Sequence, residues 1–210
     1  MYTSTTRTNA ATRYGLPRGP QSAMLILSVV RKLYTYFRCR INGPVASGLG
    51  PSAASMPHYF SCETGDCGSG IKECQNPPPA LPVTFLNFEI KLPVVSYEVS
   101  LNHGHNIPVR IEPDGGSLVE GTGPCPVVDC VGDIASVCPS PLVAKNMDGK
   151  YIGCYSACDV FKDPGACQPN DYSNTFKQVC KLAHTYPGDN DPPTYKCSGA
   201  TRYNITFCPF

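Results

Sequence analysis

This chain reads as a loop-rich, mainly β protein, on three grounds. Glycine (19) and proline (22) are abundant among 210 residues, tryptophan is absent, and long amphipathic runs are scarce. Several short segments alternate apolar and polar residues with a period of two. Thirteen cysteines, twelve of them between Cys62 and Cys208, are spaced as in CETGDC, CPVVDC and CYSAC, which suits small disulfide loops in an oxidising compartment better than the paired knuckles of a zinc site. With 41% hydrophobic residues the chain can build a core, either of one medium domain or of a domain with a satellite.

The first stretch of the chain has a character of its own. Residues 1–62 carry seven Lys/Arg and no Asp or Glu, whereas the remainder carries ten basic and sixteen acidic residues, so a boundary is expected near Ser61. The apolar run Ala23–Val30 is too short to span a membrane and leads at once into Arg31 and Lys32, without the small-residue pattern of a cleavage site. Three readings stay open for residues 1–58: a disordered or non-native stretch outside the folded domain, a poor internal signal anchor, or an organelle transit peptide, the last at odds with the cysteines. The folded domain is then expected over 59–210. Its acidic excess would repel phosphate, so nucleic acid is not an expected partner, and no stable membrane insertion is expected.

Leu81–Leu92 and Val95–Leu101, broken at Pro93, read as half-buried strands, as do Ile107–Glu112 and Arg202–Cys208. Between two of these, His103-Gly104-His105-Asn106 reads as a surface turn in which Gly104 adopts a backbone conformation that a side chain would oppose. One helix is expected. Phe176, Val179, Cys180 and Ala183 fall at i, i+3, i+4 and i+7, Asp171 or Ser173 can cap the start, and Pro187-Gly188 stops it. No internal repeat and no Walker, Rossmann or HExxH pattern appears, so no cofactor is implied.

The stretches ETGDCGSG, YEVSLNHGHNIPV, CPSPL, CYSACDVF, YSNTFKQVC, YPGDND and YNITFCP follow one another in that order. They make the chain from about Cys62 to Phe210 resemble the thaumatin-like proteins, the plant pathogenesis-related family 5; residues 1–58 do not follow the pattern. The resemblance implies a thaumatin-like β-sandwich, incomplete at the N-terminus because the family draws strands from its own N-terminal region. It also implies a disulfide-rich lobe of loops and helix at about 130–185, with a cleft beside it. Phe85, Phe88, Val99, Leu101 and Ile107 would then be the strand residues most at risk of facing water. The disulfides implied are Cys67–Cys74, Cys125–Cys197, Cys130–Cys180 and Cys138–Cys154, and in a shortened loop Cys158–Cys167. Cys62 and Cys208 lack their usual partners, of which Cys39 can replace only one.

In the family the cleft is acidic and is the presumed contact surface for β-1,3-glucans. Here its glutamate position reads Asn87, its first aspartate Glu98, its second His103 and its third Asp189, while the region of its arginine is not matched. His105 stands where an aromatic is usual. A glucan hydrolase needs two carboxyls flanking the scissile bond, and Glu98 with Asp189 is the pair on offer. The plainer alternatives are a solvated strand carboxylate for Glu98 and a turn residue before Pro192 for Asp189. Metal binding by His103 and His105 would need a further ligand and a rigid frame, which a glycine turn does not give. Asn204-Ile205-Thr206 is a glycosylation sequon, yet it lies within the last strand, where an oligosaccharide is hard to place. The expectation is a secreted, monomeric defence protein that binds cell-wall β-1,3-glucan through a weakened acidic cleft without catalysis. A weak endo-β-1,3-glucanase and a disulfide scaffold without carbohydrate contact are the alternatives.

Overall fold

The computed structural model describes residues 29–34, 40–42, 59–68 and 78–209, with the backbone alone at 29–34, 40–42, 59 and 60. The chain runs through β1 (Val29–Tyr34), β2 (Arg40–Asn42), β3 (Tyr59–Ser61), β4 (Phe85–Lys91), β5 (Val94–Ser100), β6 (Val109–Asp114), β7 (Ser117–Leu118) and β8 (Val128–Cys130). A one-turn helix α1 (Ile134–Val137), β9 (Val143–Lys145), β10 (Tyr151–Cys154), α2 (Ala157–Phe161) and α3 (Asp171–Val179) follow. The described chain closes with β11 (Ala183–His184), β12 (Tyr195–Ser198) and β13 (Arg202–Phe207).

Two sheets hold the core between them. The first has the order β1-β4-β5-β12-β7, with β11 added in parallel to β5, and the second is β13-β6-β8. The two-residue period decides what each strand buries: Leu86 on β4 and Val95, Tyr97 and Val99 on β5 point inward, as do Val109, Ile111 and Val128 of the second sheet. Rings span the gap, with Tyr203 edge-on to Phe88 at 5.1 Å and to Tyr97 at 5.6 Å between centroids. The Tyr97 hydroxyl, at the end of a fully buried side chain, donates to the Pro126 carbonyl at 2.7 Å.

Strand exposure turns out differently from the sequence expectation. Val99 and Leu101 are fully buried and Ile107 is 6% exposed, while Phe88 is partly buried against the core. The first sheet reaches into the part of the chain that the sequence reading set apart, since β1 pairs antiparallel with β4 from Val29 opposite Ile90 to Tyr34 opposite Phe85. Cover for β4 thus comes from a strand on either side. A second piece of that part, β2, pairs antiparallel with β3 from Arg40 opposite Ser61 to Asn42 opposite Tyr59, and the other residues of 1–58 lie outside the described residues.

The lobe beyond β8 is built from short pieces, and its helices differ from the single long one expected. Ser156 caps α2, its hydroxyl accepting from the Asp159 amide at 3.1 Å, and α3 starts at a capping box in which Asn170, rather than Asp171 or Ser173, is the cap. Helix α3 ends at Val179. The chain then turns, and Ala183 joins β5 as a strand residue, so the spacing of Phe176, Val179 and Ala183 mixes one helical face with a strand.

Four disulfides close within the described residues: Cys125–Cys197, Cys130–Cys180, Cys138–Cys154 and Cys158–Cys167. Cys62 and Cys67 are also disulfide-bonded, but Cys74 and Cys39, with the pairing Cys67–Cys74, lie outside the described residues. Cys208 is a free, exposed thiol.

Candidate functional site

The site is assembled on the outer face of the first sheet. Because Leu86 and Val99 turn into the core, the residues beside them, Phe85, Asn87 and Glu98, turn away from it. Asn87 and Glu98 stand opposite each other in register, and the Asn87 amide donates to Glu98 Oε1 at 2.5 Å. Glu98 is no solvated strand carboxylate. Its side chain is only 14% exposed, Thr194 Oγ1 donates to its Oε2, and His184 Nδ1 lies 3.5 Å from the same oxygen. The other ring nitrogen of His184 contacts the Pro192 carbonyl at 2.8 Å, so both nitrogens of this buried imidazole meet oxygen.

Asp189 occupies a second group. Its carboxylate is buried and receives the Lys177 ammonium at 2.6 Å, the Thr185 amide at 2.8 Å and, on its other oxygen, the Asp191 amide at 3.1 Å. Burial by itself would raise the carboxyl's pKa, but the Lys177 hydrogen bond, the two amide donors and the ammonium charge outweigh it and hold Asp189 below the ordinary carboxylate range. The two groups meet through the backbone, because His184 serves Glu98 and the next residue, Thr185, serves Asp189.

The turn His103–Asn106 splits its two histidines. His103 Nδ1 lies 3.1 Å from Asp159 Oδ2, and its ring packs 5.1 Å from that of Phe85, tying the outer face of the sheet to the start of α2. His105, read from sequence as part of a surface turn, is instead 6% exposed, and among the described residues neither ring nitrogen has a hydrogen-bond partner. Backbone bonds at 2.8 Å in both directions between His105 and Cys154 pull it inward. Burial drives its pKa down to about 4, against a smaller upward pull from Asp133. Gly104 is held at φ +86°; a Cβ there would sit 2.8 Å from Pro82 Cβ and closer still to the Cys154 carbonyl, so this position excludes every side chain. Among the described residues no three His, Cys, Asp or Glu side chains gather as a metal set.

Of the four cleft residues named from sequence, Asn87 and Glu98 touch, Asp189 is joined to them through His184-Thr185, and His103 joins through Phe85. Sequence reasoning missed Asp159, Lys177, His184 and Thr194. They arrive from the lobe and from loops far along the chain, and only Lys177, a cation in the last turn of a helix ahead of the acidic GDND stretch, left a local signal.

Comparison with known proteins agrees with this architecture. The pattern of the thaumatin family matches residues 38–209, beginning ahead of Cys62. The chain belongs to the thaumatin family. Thaumatin-like protein 1 of Prunus persica is 40% identical over 163 residues, covering 71% of this chain and 64% of the relative. Thaumatin-like protein 1a of Malus domestica is 38% identical with the same coverage. A Prunus avium relative named glucan endo-1,3-beta-glucosidase is 36% identical, again over 71% of this chain and 64% of its own length. This thaumatin-family chain therefore spans slightly less than two thirds of those relatives. Among its described residues no helix is long and apolar enough to cross a membrane.

Proposed function

We propose that this thaumatin-family protein is a secreted plant defence protein that binds β-1,3-glucan or a related cell-wall carbohydrate along the face bearing Phe85, Asn87, Glu98 and His103, without cleaving it. The observation that carries the reading is the state of the carboxylates: Glu98 is held by Asn87 and Thr194 beside His184, and Asp189 is buried against Lys177. Glycoside hydrolysis asks one carboxyl to protonate the leaving oxygen and another to attack or to activate water. An Asp189 buried to 1% exposure and paired with Lys177 is not presented to a sugar, and Asn87 cannot ionise. An aromatic ring next to amide, carboxylate and imidazole groups suits a hydroxylated ligand, whose rings stack and whose hydroxyls donate and accept. The printed name of the Prunus avium relative supports β-1,3-glucan as the ligand class, and equally supports glucan hydrolysis as the second reading.

Co-sedimentation with insoluble β-1,3-glucan, run beside a reducing-end assay on soluble glucan, tests the proposal. Binding that falls in Phe85→Ala and Glu98→Ala, with no reducing ends released, is expected. Reducing ends that disappear in Glu98→Gln or Asp189→Asn would make the protein a glucanase, and absence of binding by the folded protein would leave a disulfide scaffold.

A further inference from the structure

We propose that Asn204 is an N-glycosylation site whose oligosaccharide projects from the outer face of the second sheet, on the side of the sandwich away from Asn87 and Glu98. Its position within a strand argues against modification only until the faces of that strand are told apart. Tyr203, Ile205 and Phe207 pack on the core, with the Tyr203 ring against Phe88 and Tyr97. The residues between them, Arg202, Asn204 and Thr206, therefore stand on the opposite face.

That face is wet. Arg202 pairs there with Asp114 at 2.7 Å, both side chains about half exposed (53% and 51%), and Arg110 pairs with Asp129 at 2.9 Å. Asn204 is the register partner of Glu112 and Thr206 that of Arg110, so the half-buried sequon sits in a row of charged and polar, partly exposed side chains. Residues i and i+2 of a strand lie about 7 Å apart on one side. The asparagine amide and the threonine hydroxyl of this acceptor pattern thus stand on the same face. Among the described residues the Asn204 amide makes no hydrogen bond that modification would break, and β13 pairs with β6 alone, its other edge having no partner strand.

The donor is a lipid-diphosphate-linked oligosaccharide of the secretory pathway. Asn204 Nδ2 forms a bond to the anomeric carbon of the first sugar, the bond from that carbon to the diphosphate oxygen breaks, the amide releases one proton and the lipid diphosphate departs; nothing is oxidised or reduced.

The inference rests on the secretory route proposed above, and the experiment separates the two. The full chain, preceded by a cleavable secretion signal, is produced in a glycosylating host and its intact mass is taken before and after peptide N-glycosidase treatment. A control, Asp148→Asn with Lys150→Thr, creates a sequon in the exposed turn at Met147, where a glycan reports that the chain has met the enzyme. Expected are one glycan on the unaltered chain, two on the control, none in Asn204→Gln or Thr206→Ala, and one retained in Thr206→Ser, which keeps the hydroxyl. A control chain modified at residue 148 but bare at Asn204 would overturn the assignment.

Discussion

Acid should loosen this protein through one buried ring. The folded chain holds His105 neutral, with a pKa brought down to about 4 by burial, whereas the unfolded chain titrates it near 6.5. Above about pH 6.5 neither state binds the proton and stability is unaffected. As pH falls below that value the unfolded state takes up a proton that the folded state refuses, so stability drops until the folded pKa is reached. Integrating between those two values gives a loss of about 2 kcal/mol at pH 5 and about 3 kcal/mol at pH 4 relative to pH 7. Urea unfolding of the disulfide-intact protein across that range, in parallel with His105→Phe, isolates the contribution from that of the carboxylates. The phenyl ring fills similar space without burying two nitrogens that have no hydrogen-bond partner among the described residues, so the variant should be more stable by about 1 kcal/mol at neutral pH and pull further ahead as the solution is acidified. Parallel pH profiles for the two proteins would refute the reasoning, since they would mean that the imidazole finds a proton partner in the fold.

Replacing Lys177 by Met should cost about 3 kcal/mol in chemical unfolding, because a buried Asp189 carboxylate is left uncompensated, and adding Asp189→Asn should recover part of it. The contribution of that pair is present above the ordinary carboxylate pKa and fades as pH falls through the lower folded value. Alkylation of the native, unreduced protein followed by peptide mapping should label Cys208, and Cys208→Ser should abolish that labelled peptide. Gly104→Ala should destabilise by about 3 kcal/mol or more in thermal or urea unfolding, since a positive φ and a collision with the Cys154 carbonyl act together.

What the sequence disclosed, and what it hid, divides along physical lines. Alternation located β4, β5, β6 and β13, because a strand with one wet and one buried face writes its period directly into the residues. Helices α1 and α2, of four and five residues, are too short to leave a helical period and are held by caps and disulfides, so no apolar periodicity announced them. His105 could not be told from His103 in HGHN, since what sends one ring inward is a backbone pairing with Cys154, remote in sequence. The partners of Glu98 were hidden likewise: Thr194 and His184 reach it only after the loops beyond α3 have folded back over β5. For Asn204 the residues were legible and the face was not, because its parity depends on which of its neighbours the core takes.

The Lys177 ammonium, besides neutralising Asp189, gathers the carbonyl oxygens of Ala183 and Asp191 around itself. A calcium ion organises a loop in a similar manner, by drawing carboxylate and backbone oxygens to one centre. Here the centre is tethered to a helix, so its local concentration does not fall on dilution, and neither chelation nor dialysis can strip it away. The segment carrying Asp189 therefore keeps its shape for as long as α3 stays wound. If α3 unwinds, the loop loses the group that organises it at the same moment, which makes helix and loop one cooperative unit.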